Sequence, residues 1–104
     1  MAREFDKLVR DKIPEIIEED GKEPEIHIAD NGEYTERLVE KLDEEVSEFL
    51  ESREIDELAD ILEVIHAIRE DSGLSIEQLQ KKREEKAEQR GRFDEGVVLQ
   101  RVEK

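Results

Sequence analysis

Two runs of apolar residues constrain the fold of this chain more than any other feature. Tyr34, Leu38, Leu42, Val46 and Phe49 recur every three or four residues, and so do Leu58, Ile61, Leu62, Ile65 and Ile68. That period lays each run along one face of a helix. One helix is predicted from about Glu33 to Leu50 and a second from about Ile55 to Glu70. Only "ESRE" separates them, and so short a connection makes antiparallel neighbours. Upstream, Pro14 suits a first helical position, and "PEIIEEDG" reads as a short helix stopped at Gly21. Downstream, Gly73 terminates the second long helix, and "SIEQ" opens another as a capping box, with Ser75 as cap and Gln78 reaching back. Leu74 and Leu79 stand where a hydrophobic staple needs them, and this helix is expected to stop near Gly91. "EIHIA" and "GVVLQRV" read as two short strands that pair with each other. The expected fold class is therefore all-α: an antiparallel hairpin plus a third helix in a bundle, with a short N-terminal helix and two short strands, in one domain of residues 1–104.

Four acids are placed as mirror images within the hairpin. Glu45 and Glu48 are three apart, as are Glu57 and Asp60. Glu45 and Asp60 are equidistant from a point between Ser52 and Arg53, and so are Glu48 and Glu57. Residues equidistant from the turn of such a hairpin lie at the same height, which sets Glu48 opposite Glu57 and Glu45 opposite Asp60. At about 100° per residue, Glu45 lies roughly 60° and Glu48 roughly 120° from the centre of their apolar stripe. Glu57 lies roughly 80° and Asp60 roughly 140° from theirs. All four therefore flank the core on one edge. Clustered carboxylates repel unless a cation neutralises them, and oxygen ligands without histidine or cysteine suit Mg²⁺ or Mn²⁺ better than zinc. The bland alternative is a solvated acidic face in a chain with 32 acids.

Composition narrows the function further. The formal net charge of −15 disfavours contact with nucleic-acid phosphates. The chain has no cysteine, which excludes disulfides, thiolate metal sites and a cysteine nucleophile. "MAREFDKLVRDKIPEII" has no apolar core like that of a signal peptide, and no run approaches a membrane span, so a cytoplasmic, soluble protein is expected with no membrane partner. Only 35% of the 104 residues are hydrophobic and 47% are charged. A monomer so small and polar buries too little apolar surface, and a homodimer or higher homo-oligomer is expected to hide more. Val39, Leu50, Ile55 and Leu62 lie off the centres of their stripes and are the candidates for widening the buried surface.

Basic residues follow a pattern of their own. Beyond Ile76 and Leu79, the same face of the last helix carries Lys82, Arg83, Lys86 and Arg90, all within about 60° of Leu79. An inward face that turns basic either pairs with acids or meets an anion such as a polyphosphate. The polar arm of residues 1–13, with Arg3, Lys7, Arg10 and Lys12, offers further phosphate contacts through "KLVRDK". His27 and His66 lack a ligand pattern, and Phe93 follows the basic stripe in a loop.

These residues resemble a known family. "EEVSE" followed by "ELAD" is similar to the E-E-x-x-E … E-x-x-D signature of the MazG-like all-α nucleotide pyrophosphohydrolases. The resemblance implies that Glu45, Glu48, Glu57 and Asp60 hold magnesium. Lys41 resembles the family's lysine one turn before the acidic pair, and "KAEQR" its K-x-x-x-R, which implies phosphate roles for Lys86 and Arg90; Lys41 and Arg10 are expected to bind phosphate with them. "KLVRDKIPEII" and "RGRF" resemble a small single-domain subgroup of house-cleaning pyrophosphatases. No tryptophan is present to clamp a base. The expected reaction is Mg²⁺-dependent hydrolysis of a nucleoside triphosphate to the monophosphate and pyrophosphate, with Glu44 or Glu48 orienting or deprotonating the water. The alternatives are a phosphoribosyl-ATP pyrophosphohydrolase and a non-catalytic acidic helical interaction module.

Overall fold

A computed structural model describes residues 3–104. The chain forms four helices: α1 (Ile13–Glu19), α2 (Asn31–Ser52), α3 (Ile55–Asp71) and α4 (Ile76–Arg90). Their ends follow from local chemistry. Asp30 caps α2, its side chain accepting from the Glu33 N–H at 2.9 Å. Ser75 caps α4 in a complete capping box with Gln78, the two bonds measuring 3.1 and 2.8 Å. Gly21 and Gly73 stand past the ends of α1 and α3 at φ 81° and 74°, a region that costs a residue bearing a Cβ. There the Lys22 N–H reaches the Ile17 carbonyl and the Leu74 N–H the Arg69 carbonyl, in the glycine-dependent C-terminal motif.

The hairpin connection is tighter than the sequence suggests. Glu51 and Ser52 continue α2, so only Arg53 and Glu54 separate α2 from α3. Arg53 takes a left-handed conformation, φ 60° and ψ 19°, that normally favours glycine. Its N–H bonds the Phe49 carbonyl and its Nε bonds the Leu50 carbonyl, each at 2.8 Å. The α2–α3 hairpin is the one closely packed pair of helices among the described residues. Leu38 and Val64 are its buried apolar residues.

Two expectations are corrected. No strand exists among the described residues: 22–30 and 96–104 run without helix or ladder, and Ile28, Val97, Val98 and Leu99 stand exposed. A strand needs a neighbouring backbone to take up its N–H and C=O groups, and neither segment has one. Nor does the basic face of α4 turn inward. Ile76, Leu79 and Ala87 are its only apolar residues, and every residue of α4 except Ala87 is exposed. The molecule is accordingly elongated, 61 × 31 × 25 Å with a radius of gyration of 18.4 Å. A packed chain of this length would have about 13 Å.

Candidate metal centre

The acids sit on the one part of the fold that is firmly packed. α2 contributes Lys41, Glu44, Glu45 and Glu48, and α3 contributes Glu57 and Asp60. One carboxylate oxygen from each of Glu45, Glu57 and Asp60 lies within 4.8 Å of the others. Glu45 is 7% exposed, while Glu57 and Asp60 are half-buried. Glu48, one turn beyond Glu45, is exposed and outside this group of three. The helical wheel accounts for the difference, since it sets Glu45 closer than Glu48 to the apolar stripe of α2.

Glu45 is unusual for a buried acid. Lys41 approaches its Oε1 at 3.2 Å, but its Oε2 is buried with no hydrogen-bond partner. Leaving a charged oxygen dry and unpaired is costly. Burial pushes the Glu45 carboxyl above its ordinary range; Lys41 opposes the shift and the neighbouring Glu48 adds to it. Glu44 behaves oppositely. Burial raises its carboxyl, but Lys41 and Lys7 outweigh that and hold it below the usual range. Lys41 itself loses by burial, yet Glu44 and Glu45 keep its ammonium above the usual value.

The N-terminal arm closes over the centre. Lys7 Nζ lies 2.6 Å from Glu44 Oε1, and Arg10 Nη2 lies 2.8 Å from Asp60 Oδ1. Lys41 Nζ reaches Glu44 Oε2 at 2.8 Å. Lys7, Arg10 and Lys41 thus pair with Glu44, Glu45 and Asp60, and no cation pairs with Glu48 or Glu57 among the described residues. A hard divalent cation fits the unpaired Glu57, the all-oxygen donor set and the orphaned Glu45 Oε2 together. The acidic cluster can therefore chelate a divalent metal, as a metal-dependent hydrolytic site requires.

Lys86 and Arg90 are not brought to the carboxylates within one chain. They lie on the exposed length of α4, which packs on neither α2 nor α3 closely. The sequence offered Lys7 only as one of four basic residues of the arm, and the structure brings it to Glu44. Its signal was its place three residues before Arg10 in "KLVRDK", but only the course of the arm brings it to Glu44. The two best-formed hollows among the described residues lie elsewhere. One, of about 380 Å³, is lined by Ile16, Ile17, Glu19, Asp20 and Lys22; the other, of about 350 Å³, is lined by Glu84, Ala87, Glu88 and Arg92. Neither borders Glu45, Glu57 or Asp60. Among the described residues no helix is long and apolar enough to cross a membrane.

No protein-family model matches this chain, and no solved structure matches it. A stretch of 42 residues, 40% of the chain, is 50% identical to an uncharacterized protein of Mycolicibacterium smegmatis and spans 43% of that relative's length. On sequence and geometry together, the chain is a small all-α protein with a candidate divalent-metal cluster on its helical hairpin.

Proposed function

We propose that this protein is a Mg²⁺-dependent nucleoside triphosphate pyrophosphohydrolase of the MazG-like kind, which releases the monophosphate and pyrophosphate and removes noncanonical nucleotides in the cytoplasm. Mn²⁺ is expected to substitute. The observation that carries this reading is the buried, unpartnered oxygen of Glu45 beside Glu57 and Asp60. Glu45, Glu57 and Asp60 would hold the ion, with Glu48 joining from the next turn of α2. Bound there, the ion would polarise phosphate oxygens, make water more acidic and offset developing charge.

The chain's own groups do the rest. Glu44 or Glu48 orients the attacking water and takes its proton. Lys41 and Arg10 stand at the rim of the carboxylates and bind phosphate oxygens, as do Lys86 and Arg90 once α4 is brought close. A second copy of the chain is the natural source of that closeness. The accessible surface is 9855 Å². A packed monomer of this mass would expose roughly 6,100 Å². Val39, Leu50, Ile55 and Leu62 are all more than half exposed, which supports a two-fold dimer that buries them and completes the site with basic residues of α4.

Pyrophosphate release tests the reading. The purified protein, offered a panel of standard, deoxy and modified triphosphates with Mg²⁺, should release pyrophosphate and stop on chelation. Preference for phosphoribosyl-ATP alone would reassign it to that related reaction. No release from any triphosphate would leave an acidic helical interaction module.

A further inference from the structure

The arm that covers the acids carries two cations on residues three apart, and each is held by a different helix of the hairpin. Lys7 is bound to Glu44 on α2 and Arg10 to Asp60 on α3. The arm is also fixed upstream. Arg37 on α2 donates to the Asp6 carbonyl and to Asp6 Oδ1, each at 2.9 Å, and Asp6 takes φ 43° to meet it. Downstream, the Arg10 carbonyl accepts from the Ile13 N–H and starts α1. Between the two cations Leu8 and Val9 are half-buried, so the backbone is held while the charged tips stay in water. Side-chain exposures of 39% for Lys7 and 56% for Arg10 leave both tips open to a ligand.

Asp60 is both a member of the three-carboxylate group and the partner of Arg10. A divalent ion at that group would take over the neutralisation that Arg10 now provides, and the pull on the neighbouring Lys7 would weaken with it. The geometry points to the arm as a cation-exchange clamp: Lys7 and Arg10 cover the carboxylates on Glu44 and Asp60, and pass to the oxygens of a polyphosphate when a divalent ion replaces them. This rests on reading the acidic centre as a divalent-cation site that receives polyphosphate. It adds Lys7 as a phosphate ligand, and it makes phosphate capture conditional on metal. The exchange is nearly neutral in charge, because every cation released by a carboxylate finds a phosphate oxygen in its place.

Binding of inorganic tripolyphosphate, measured by calorimetry with and without Mg²⁺, tests the clamp without nucleotide or turnover. Mn²⁺ binding alone is measured in parallel. The wild type should bind tripolyphosphate well only with metal. Lys7→Ala and Arg10→Ala should each weaken that binding about tenfold, the loss of one charge-assisted contact. Both should keep or tighten Mn²⁺ binding, since a competing cation has gone. Lys7→Arg should restore binding, and Lys22→Ala, just past the C-terminal end of α1 and paired with Asp20, should change nothing. Unaltered tripolyphosphate affinity in both alanine variants overturns the clamp. So does a parallel fall in Mn²⁺ and tripolyphosphate affinity, which would make the arm a structural strut. So does a wild type that binds tripolyphosphate equally well without metal. Intact, metal-dependent and arm-dependent tripolyphosphate binding without pyrophosphate release from any nucleotide would sink the hydrolase reading and leave the clamp standing.

Discussion

Replacing Glu45 by glutamine should behave unlike the loss of an ordinary buried ion-pair partner. Breaking such a pair usually costs about 3–5 kcal/mol. Here the charge is poorly placed in the metal-free protein. Its attraction to Lys41 at 3.2 Å is worth about 5 kcal/mol at an effective dielectric constant of about 20. Against it stand the like charge of Glu48, which adds to the rise of the Glu45 carboxyl, and the cost of a dry, unpaired Oε2. Lys41 keeps Glu44 as a partner at 2.8 Å when Glu45 loses its charge. Glu45→Gln should therefore leave metal-free stability within about 1 kcal/mol of the wild type, or raise it. With Mg²⁺ at a hundred times its Kd, the wild type should gain about 2.7 kcal/mol, or roughly 10–20 °C in Tm, and the variant almost none.

The sign with pH follows from the direction of the Glu45 shift. A carboxyl raised in the folded state binds its proton more tightly there than in the unfolded chain. The metal-free wild type should therefore gain stability, relative to Glu45→Gln, as pH falls through the raised folded value towards the ordinary 4.5. The lowered Glu44 acts in a different window: its contribution is present above 4.5 and lost as pH falls through its depressed value. Thermal unfolding of both proteins, at fixed protein concentration with and without Mg²⁺, reads all three effects. A variant that loses 3 kcal/mol or more without metal yet keeps the full Mg²⁺ shift would refute the reasoning.

Three further outcomes are expected. Lys86→Ala and Arg90→Ala should each weaken triphosphate binding by roughly 1.5–3 kcal/mol while leaving Mg²⁺ affinity intact; normal triphosphate binding would show that the basic face of α4 is not a phosphate ligand. Leu62→Glu, at a position 66% exposed in the single chain, should weaken dimerisation by at least about a hundredfold in sedimentation, and an unchanged oligomer would remove this face from the interface. Arg53→Gly should raise stability by about 0.5–1 kcal/mol by relieving the left-handed backbone, whereas Arg53→Ala should not; equal stability of the two would mean that the conformation carries no strain.

The helices and their order were written in the sequence, because each rests on neighbours a few residues away. The three- and four-residue recurrence from Tyr34 to Phe49 and from Leu58 to Ile68, the Ser75 box and the glycines at 21 and 73 act locally, and the structure places helices and ends accordingly. Glu45, Glu57 and Asp60 meet because a short hairpin turns sequence distance from the turn into height along two helices; Glu48, the fourth of the mirrored acids, stays outside the group. The wheel also set Glu45 nearer the apolar stripe than Glu48, but packing decided that Glu45 Oε2 would be buried without a partner. The strands at 25–29 and 96–102 were misread because an extended segment is defined by a partner backbone, and alternation does not supply one. α4 was misplaced for a related reason, because a helix wheel gives a face but not what that face meets. The arm was decided wholly by tertiary structure. Lys7 and Glu44 are 37 residues apart in the chain, and Arg10 and Asp60 are 50 apart. No local pattern links them, and only the path of the chain over the hairpin brings the two bases to the acids.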